Sequence, residues 1–173
     1  NYYPFSLPGV LVSGIGSAET IGQHVQSFKA KRVLLITDGA IVKAGIADQI
    51  KRLVEAEGVS VDVYTDIEPE PSIENLESAV DVVKKSSYDL LIGLGGGSVM
   101  DSTKVIAALQ VHDDPVRSYI GLHKFTKPGI PTIMMPTTSG TGAEVTVNAV
   151  FKDKAEKLKK VVVSAYLMPA VAI

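Results

Sequence analysis

Short apolar runs alternate along this chain with longer stretches whose apolar residues recur every three or four positions. Arg32-Val33-Leu34-Leu35-Ile36-Thr37 is β-branched and does not alternate, the pattern of a strand buried on both faces. Ile46 to Glu57 carries apolar residues at helical spacing, and Gly58 supplies the stop. Val59 to Tyr64 reads as the next strand. Pro69-Glu70-Pro71-Ser72 reads as a loop whose Ser72 caps a helix over Ile73 to Lys85. Asp89 to Leu94 is a further strand, Val99 to Leu109 a helix and Thr132 to Met134 another strand. Strands joined through helices predict an α/β fold with a doubly wound, mainly parallel, Rossmann-like sheet. In such a sheet ligands bind at the carboxyl ends of the strands.

Composition narrows the classes. The chain has 173 residues, the size of one ordinary domain, and 46% of them are hydrophobic, so a sizeable core can form. A net charge of −2 makes nucleic acid an unexpected partner. No apolar run approaches the roughly 18 residues of a membrane-spanning helix, and no basic segment leads into an apolar one at the N-terminus, so a cytoplasmic, non-membrane protein is expected. With no cysteine, any metal would need histidine and carboxylate ligands. His24, His112 and His123 have no partner at i+3 or i+4, and all three are read as structural or exposed. The chain begins at Asn1 and stops in Val171-Ala172-Ile173, an unfinished strand, so a truncated boundary is expected.

The strongest chemical signal follows a strand. Leu90 to Leu94 runs into Gly95-Gly96-Gly97-Ser98 and then into a helix. Glycines permit a sharp turn and a close backbone approach, and the free amides and positive dipole end of the helix attract phosphate. The spacing is not the usual dinucleotide fingerprint. A plain alternative is that Ser98 caps the helix and Asp101 completes a capping-box-like arrangement. A second loop, Met135 to Thr146, is dense in hydroxyls and glycines. Thr137, Thr138 and Thr141 in it offer donors and acceptors to phosphate, ribose or carboxamide, or else form an ordinary solvated turn. Asp38 stands at the end of a strand, where a carboxylate accepts both ribose hydroxyls of NAD and repels the extra phosphate of NADP; the alternative is a turn former beside Gly39. Lys152 to Lys160 reads on its own as a solvated charged hairpin.

Gly95-Gly96-Gly97-Ser98-Val99-Met100-Asp101 and Pro136-Thr137-Thr138-Ser139-Gly140-Thr141-Gly142-Ala143-Glu144-Val145-Thr146 together resemble the iron-containing (group III) alcohol dehydrogenase family. Thr37-Asp38-Gly39, the Pro69 and Pro71 pair and Pro169 extend the match over essentially the whole chain. The resemblance implies the N-terminal domain of the dehydroquinate synthase-like architecture, with residues 1–173 forming one NAD(P)-binding α/β domain. The helical C-terminal domain, which in the family supplies an aspartate and three histidines to Fe²⁺ or Zn²⁺, would then be absent from this chain. It implies that Gly95, Gly96, Gly97 and Ser98 form the pyrophosphate loop, with Asp101 at its rim towards the nicotinamide. Thr137, Thr138, Thr141 and Lys159 would also contact the cofactor. NAD is the expected dinucleotide over NADP, and a small alcohol or aldehyde the substrate of the full-length enzyme. Hydride transfer is the implied reaction, with little or no turnover by the isolated chain, and self-association, as a homodimer, is expected. Two other classes remain open: a stand-alone nucleotide-binding module, and a lyase of the dehydroquinate synthase type, against which the hydroxyl-rich segment argues.

Overall fold

The computed structural model describes residues 6–173. A six-stranded sheet forms its centre, built from β1 (Val10–Leu11), β2 (Arg32–Ile36), β3 (Ser60–Tyr64), β4 (Leu90–Gly95), β6 (Thr132–Pro136) and β9 (Val171–Ala172) in the order β1-β9-β6-β4-β2-β3. Every pairing in it is parallel. The described residues form five α-helices: α1 (Ile21–Ser27), α2 (Gly39–Lys43), α3 (Ile46–Glu55), α4 (Ile73–Val83) and α5 (Gly97–Leu109). A smaller sheet holds β5 (Gly121–Leu122), β8 (Leu158–Val163) and β7 (Asn148–Asp153), of which β7 and β8 form the antiparallel hairpin around the lysine-rich segment. Among the described residues no helix is long and apolar enough to cross a membrane.

The continuous apolar runs have a direct cause, since the sheet is covered on both faces. In β2, Leu34 and Ile36 join one core with α4 and α5, while Val33 and Leu35 join the other with α1 and α3. In α3, Ala47, Ile50 and Val54 are buried at helical spacing. Each fully buried Ile or Val contributes about 1.5–3 kcal/mol, so either face of β2 anchors its layer.

The boundaries expected for these elements shift by a residue or two. The α3 helix ends at Glu55, with Gly58 in the left-handed region at φ 78. Ser72 caps α4 as expected, its Oγ accepting from the Asn75 amide at 3.1 Å. The α5 helix starts at Gly97, two residues early, with Gly96 at the cap position. Ser98 is therefore inside the helix and is not its cap. Asp101 makes no capping box; its carboxylate instead accepts from the Val150 amide at 3.0 Å and pairs with Lys104 at 2.9 Å.

The order of strands places the functional crevice. From β2 the chain moves outward to β3, and from β4 it moves the opposite way to β6. The sheet therefore reverses direction between β2 and β4, the point at which open α/β sheets bind ligands. Thr37 ties the two strand ends there, its buried hydroxyl donating to the Leu94 carbonyl at 2.8 Å.

Candidate nucleotide-binding cleft

The glycines of β4 are required by contact and not by turn geometry. None of Gly93, Gly95, Gly96 and Gly97 has positive φ. A Cβ on Gly93 would lie 2.8 Å from Thr103 Oγ1, and one on Gly95 would lie 2.7 Å from Val99 Cγ2. Gly93 and Gly95 alternate with the other strand positions, so both present bare backbone to α5, and the helix settles directly on β4. Gly95 thus supports the loop from behind.

The next two glycines bring the two motifs together. A Cβ on Gly96 would stand 3.3 Å from Thr138 Oγ1, and one on Gly97 would stand 3.0 Å from Thr141 Cγ2. The hydroxyl-rich segment therefore lies against the first turn of α5, and Thr137 is fixed to the same place by its amide bond to the Gly95 carbonyl at 2.9 Å. Among the described residues no side chain caps α5. Its first-turn amides have no intrahelical acceptor and sit at the positive end of a 13-residue helix.

These groups open onto a cleft of about 580 Å³ lined by Asp38, Gly96, Gly97, Ser98, Thr137 and Thr138 on its polar side, with Ile41, Ile67 and Val99 among its apolar walls. Asp38 arrives there because β2 ends beside β4. Its Oδ1 caps α2, accepting from the Ala40 amide at 2.8 Å and the Ile41 amide at 3.1 Å. The turn-forming role and a ligand role are compatible, because the cap uses one carboxylate oxygen.

Asp101 and Lys159 lie elsewhere. With Ser98 they line an adjoining recess of about 140 Å³. Lys159 is two-thirds exposed and pairs with Glu70 at 3.1 Å, and this ammonium holds the Glu70 carboxyl below its ordinary range. The Ser98 hydroxyl accepts from the Glu70 amide at 3.3 Å, which closes the recess.

One buried group gave no functional signal in the sequence. Lys104 is fully buried on α5, where its ammonium donates to the Ala143 carbonyl at 3.0 Å and the Asn148 carbonyl at 2.5 Å and pairs with Asp101. Burial lowers its affinity for the proton, and the Asp101 charge opposes that effect. The available signal was a single lysine in the otherwise apolar second half of α5.

His24 is half-buried and His123 exposed. His112 is buried between Tyr119 and Phe125, with Nδ1 2.8 Å from the Ala108 carbonyl. Among the described residues no group of three or more histidines and carboxylates is placed to hold a metal ion. These residues do not fit a metal centre, whereas the glycine cradle and the open first turn of α5 fit a dinucleotide phosphate.

Comparison with known proteins agrees with this geometry. The family model for iron-containing alcohol dehydrogenases matches residues 8–173. The chain belongs to that family. Long-chain-alcohol dehydrogenase 1 of Geobacillus thermodenitrificans is 44% identical over 163 residues, which cover 92% of this chain and 41% of that protein. The crystal structure of a 1,3-propanediol oxidoreductase superposes with a TM-score of 0.94 at 29% identity, covering 100% of this chain and 45% of that one. The structure of sulfoacetaldehyde reductase from Bifidobacterium kashiwanohense, in complex with NAD⁺, gives a TM-score of 0.86 at 29% identity, with 100% and 46% covered. The chain spans about two-fifths of the length of the curated family members it matches.

Proposed function

We propose that residues 1–173 form the NAD-binding α/β domain of an alcohol dehydrogenase that transfers hydride between NAD(H) and a small alcohol or aldehyde. The observation that carries this reading is the cleft in which the uncapped first turn of α5 meets the threonines of the hydroxyl-rich loop across Gly96 and Gly97. The NAD⁺ bound in the sulfoacetaldehyde reductase structure supports the same choice of dinucleotide.

Each residue then has a physical task. The amides of Gly97, Ser98 and Val99 hold the pyrophosphate, and Gly95 and Gly96 leave it room. Asp38 accepts from the adenosine ribose hydroxyls through the oxygen that its cap leaves over, and its charge disfavours a 2′-phosphate. Thr137 and Thr138 bond the cofactor from the opposite wall, and Thr141 reaches it from beside Gly97. Asp101 and Lys159 border the recess towards the nicotinamide side. Bound NAD⁺ supplies the hydride acceptor. The residues of this chain bind and orient that acceptor and exclude water from its phosphate side.

The metal ligands of the full-length enzyme, for Fe²⁺ or Zn²⁺, belong in this reading to a helical C-terminal domain outside residues 1–173. Alone, the chain binds NAD⁺ and turns over little or no alcohol. Calorimetric titration with NAD⁺ and NADP⁺ tests the reading. Tighter binding of NAD⁺ supports it, and no heat from either dinucleotide refutes it.

A further inference from the structure

The segment that carries the hydroxyl groups needs an anchor. Gly140 and Gly142 both adopt left-handed backbone, at φ 109 and 63, and between Ala143 and Val145 the chain makes only one 3-10 turn. Its internal bonds are few: the Val145 amide reaches the Gly142 carbonyl at 3.1 Å, and the Ala143 amide reaches Thr141 Oγ1 at 3.4 Å. Such a segment has shallow conformational preferences of its own.

Lys104 supplies the missing tie. Its Nζ donates to the carbonyls of Ala143 and Asn148, which bracket the turn, and lies 3.4 Å from Thr146 Oγ1 between them. On the helix side it is held by Asp101, one turn back, whose second oxygen accepts from the Val150 amide. An ammonium with no exposed surface persists only when acceptors surround it, so these bonds are strongly favoured over any looser arrangement. Lys104 lies seven residues beyond Gly97 on one rigid helix, about 10 Å along its axis. The same helix therefore presents the phosphate-facing amides at one end and grips the hydroxyl loop further along.

We propose that Lys104 is a positioning residue for the nucleotide site, clamping the segment 143–148 to α5 and thereby fixing Thr138 and Thr141 over Gly96 and Gly97. Asp101 holds the clamp, with both carboxylate oxygens engaged inside the protein. The inference rests on the NAD reading for its ligand, but the clamp itself is testable without one.

The experiment compares the wild-type chain with Lys104→Met, which keeps the stem and removes the ammonium, by amide hydrogen exchange and by titration with NAD⁺ and with ADP. ADP reports the adenosine and diphosphate contacts alone. Expected results are faster exchange confined to residues 141–150 and affinities for NAD⁺ and for ADP that fall together by about tenfold, the equivalent of one or two lost hydrogen bonds, because both threonines stand over the diphosphate cradle. Unchanged exchange in that segment, exchange that rises throughout the chain, or weakened NAD⁺ with ADP unaffected overturns the proposal. If the wild type binds neither ligand, the NAD reading fails and the exchange result alone decides the clamp.

The absence of cysteine elsewhere in the chain permits a chemical rescue. Lys104→Cys, aminoethylated while unfolded and then refolded, regains an ammonium at nearly the lysine length. It is expected to restore the exchange pattern and both affinities. If Lys104→Met does not fold while the aminoethylated protein does, the ammonium is a requirement of the fold and the positioning role is overturned.

Discussion

Gly96→Val separates the cleft from the fold more cleanly than any other substitution. Gly96 has φ −79 and ψ −174, extended backbone that valine adopts without strain. A Cβ there meets nothing closer than Thr138 Oγ1 at 3.3 Å, a neighbour that needs to give by only a few tenths of an ångström. Replacing glycine removes freedom from the unfolded chain, a gain of about 0.4–1 kcal/mol, while valine is the poorer residue at a helix cap by a similar amount. The two offset, so the melting temperature should move by no more than about 4 °C. Binding responds differently, because the new methyl groups fill the gap between the α5 amides and Thr138, where the proposed function puts the phosphate. Hydrogen bonds to a charged group contribute about 1.5–3 kcal/mol each, so displacement from two amides costs at least about 3 kcal/mol, more than a hundredfold in Kd. Calorimetry with NAD⁺ and a thermal melt on the same preparation give both numbers. Wild-type affinity in a folded Gly96→Val protein would refute the placement of the phosphate.

Three further outcomes are expected. Asp38→Ala should lose about 1 kcal/mol of stability with its cap on α2, and should narrow the NAD⁺ over NADP⁺ preference about tenfold as the repelling charge disappears; an unchanged ratio in parallel titrations would remove Asp38 from the ribose site. Asp153, buried in the β7–β8 hairpin beside Arg117, has its carboxyl held down at about 2 by that guanidinium. A depressed folded pKa means stability that is fully present above the unfolded value near 3.8 and is lost as pH falls towards 2. Asp153→Asn should therefore flatten the acid side of urea midpoints measured between pH 5 and 2, and an unaltered profile would count against the pair. Finally, Val10 and Leu11 stand exposed on β1 at the edge of the sheet, so sedimentation should show concentration-dependent association; a clean monomer at high concentration would argue against it.

Much of this molecule was legible from one dimension. The buried strands β2 and β4, the helices α3 and α4 and the Ser72 cap follow from periodicity and end signals. Those signals survive folding because each face of the sheet needs an apolar layer. Short elements escaped for the opposite reason: β1 and β5 have two residues each, and α2 has five, too few to carry a period. The α5 start was misplaced because glycines ordinarily signal a turn, whereas Gly97 here is a helical residue kept small by Thr141.

The sequence by itself determined the fold class, the two loops and the family, because hydrophobic period and glycine placement are local quantities. Only the tertiary structure decided which residues share a site. Strand order set Asp38 beside Gly96 across the reversal between β2 and β4, and left Lys159 outside the main cleft against Glu70. It also turned Asp101 inward to Lys104 and the Val150 amide, since a buried ammonium must find its acceptors wherever the packed chain brings them, and those acceptors lie some forty residues away in the chain.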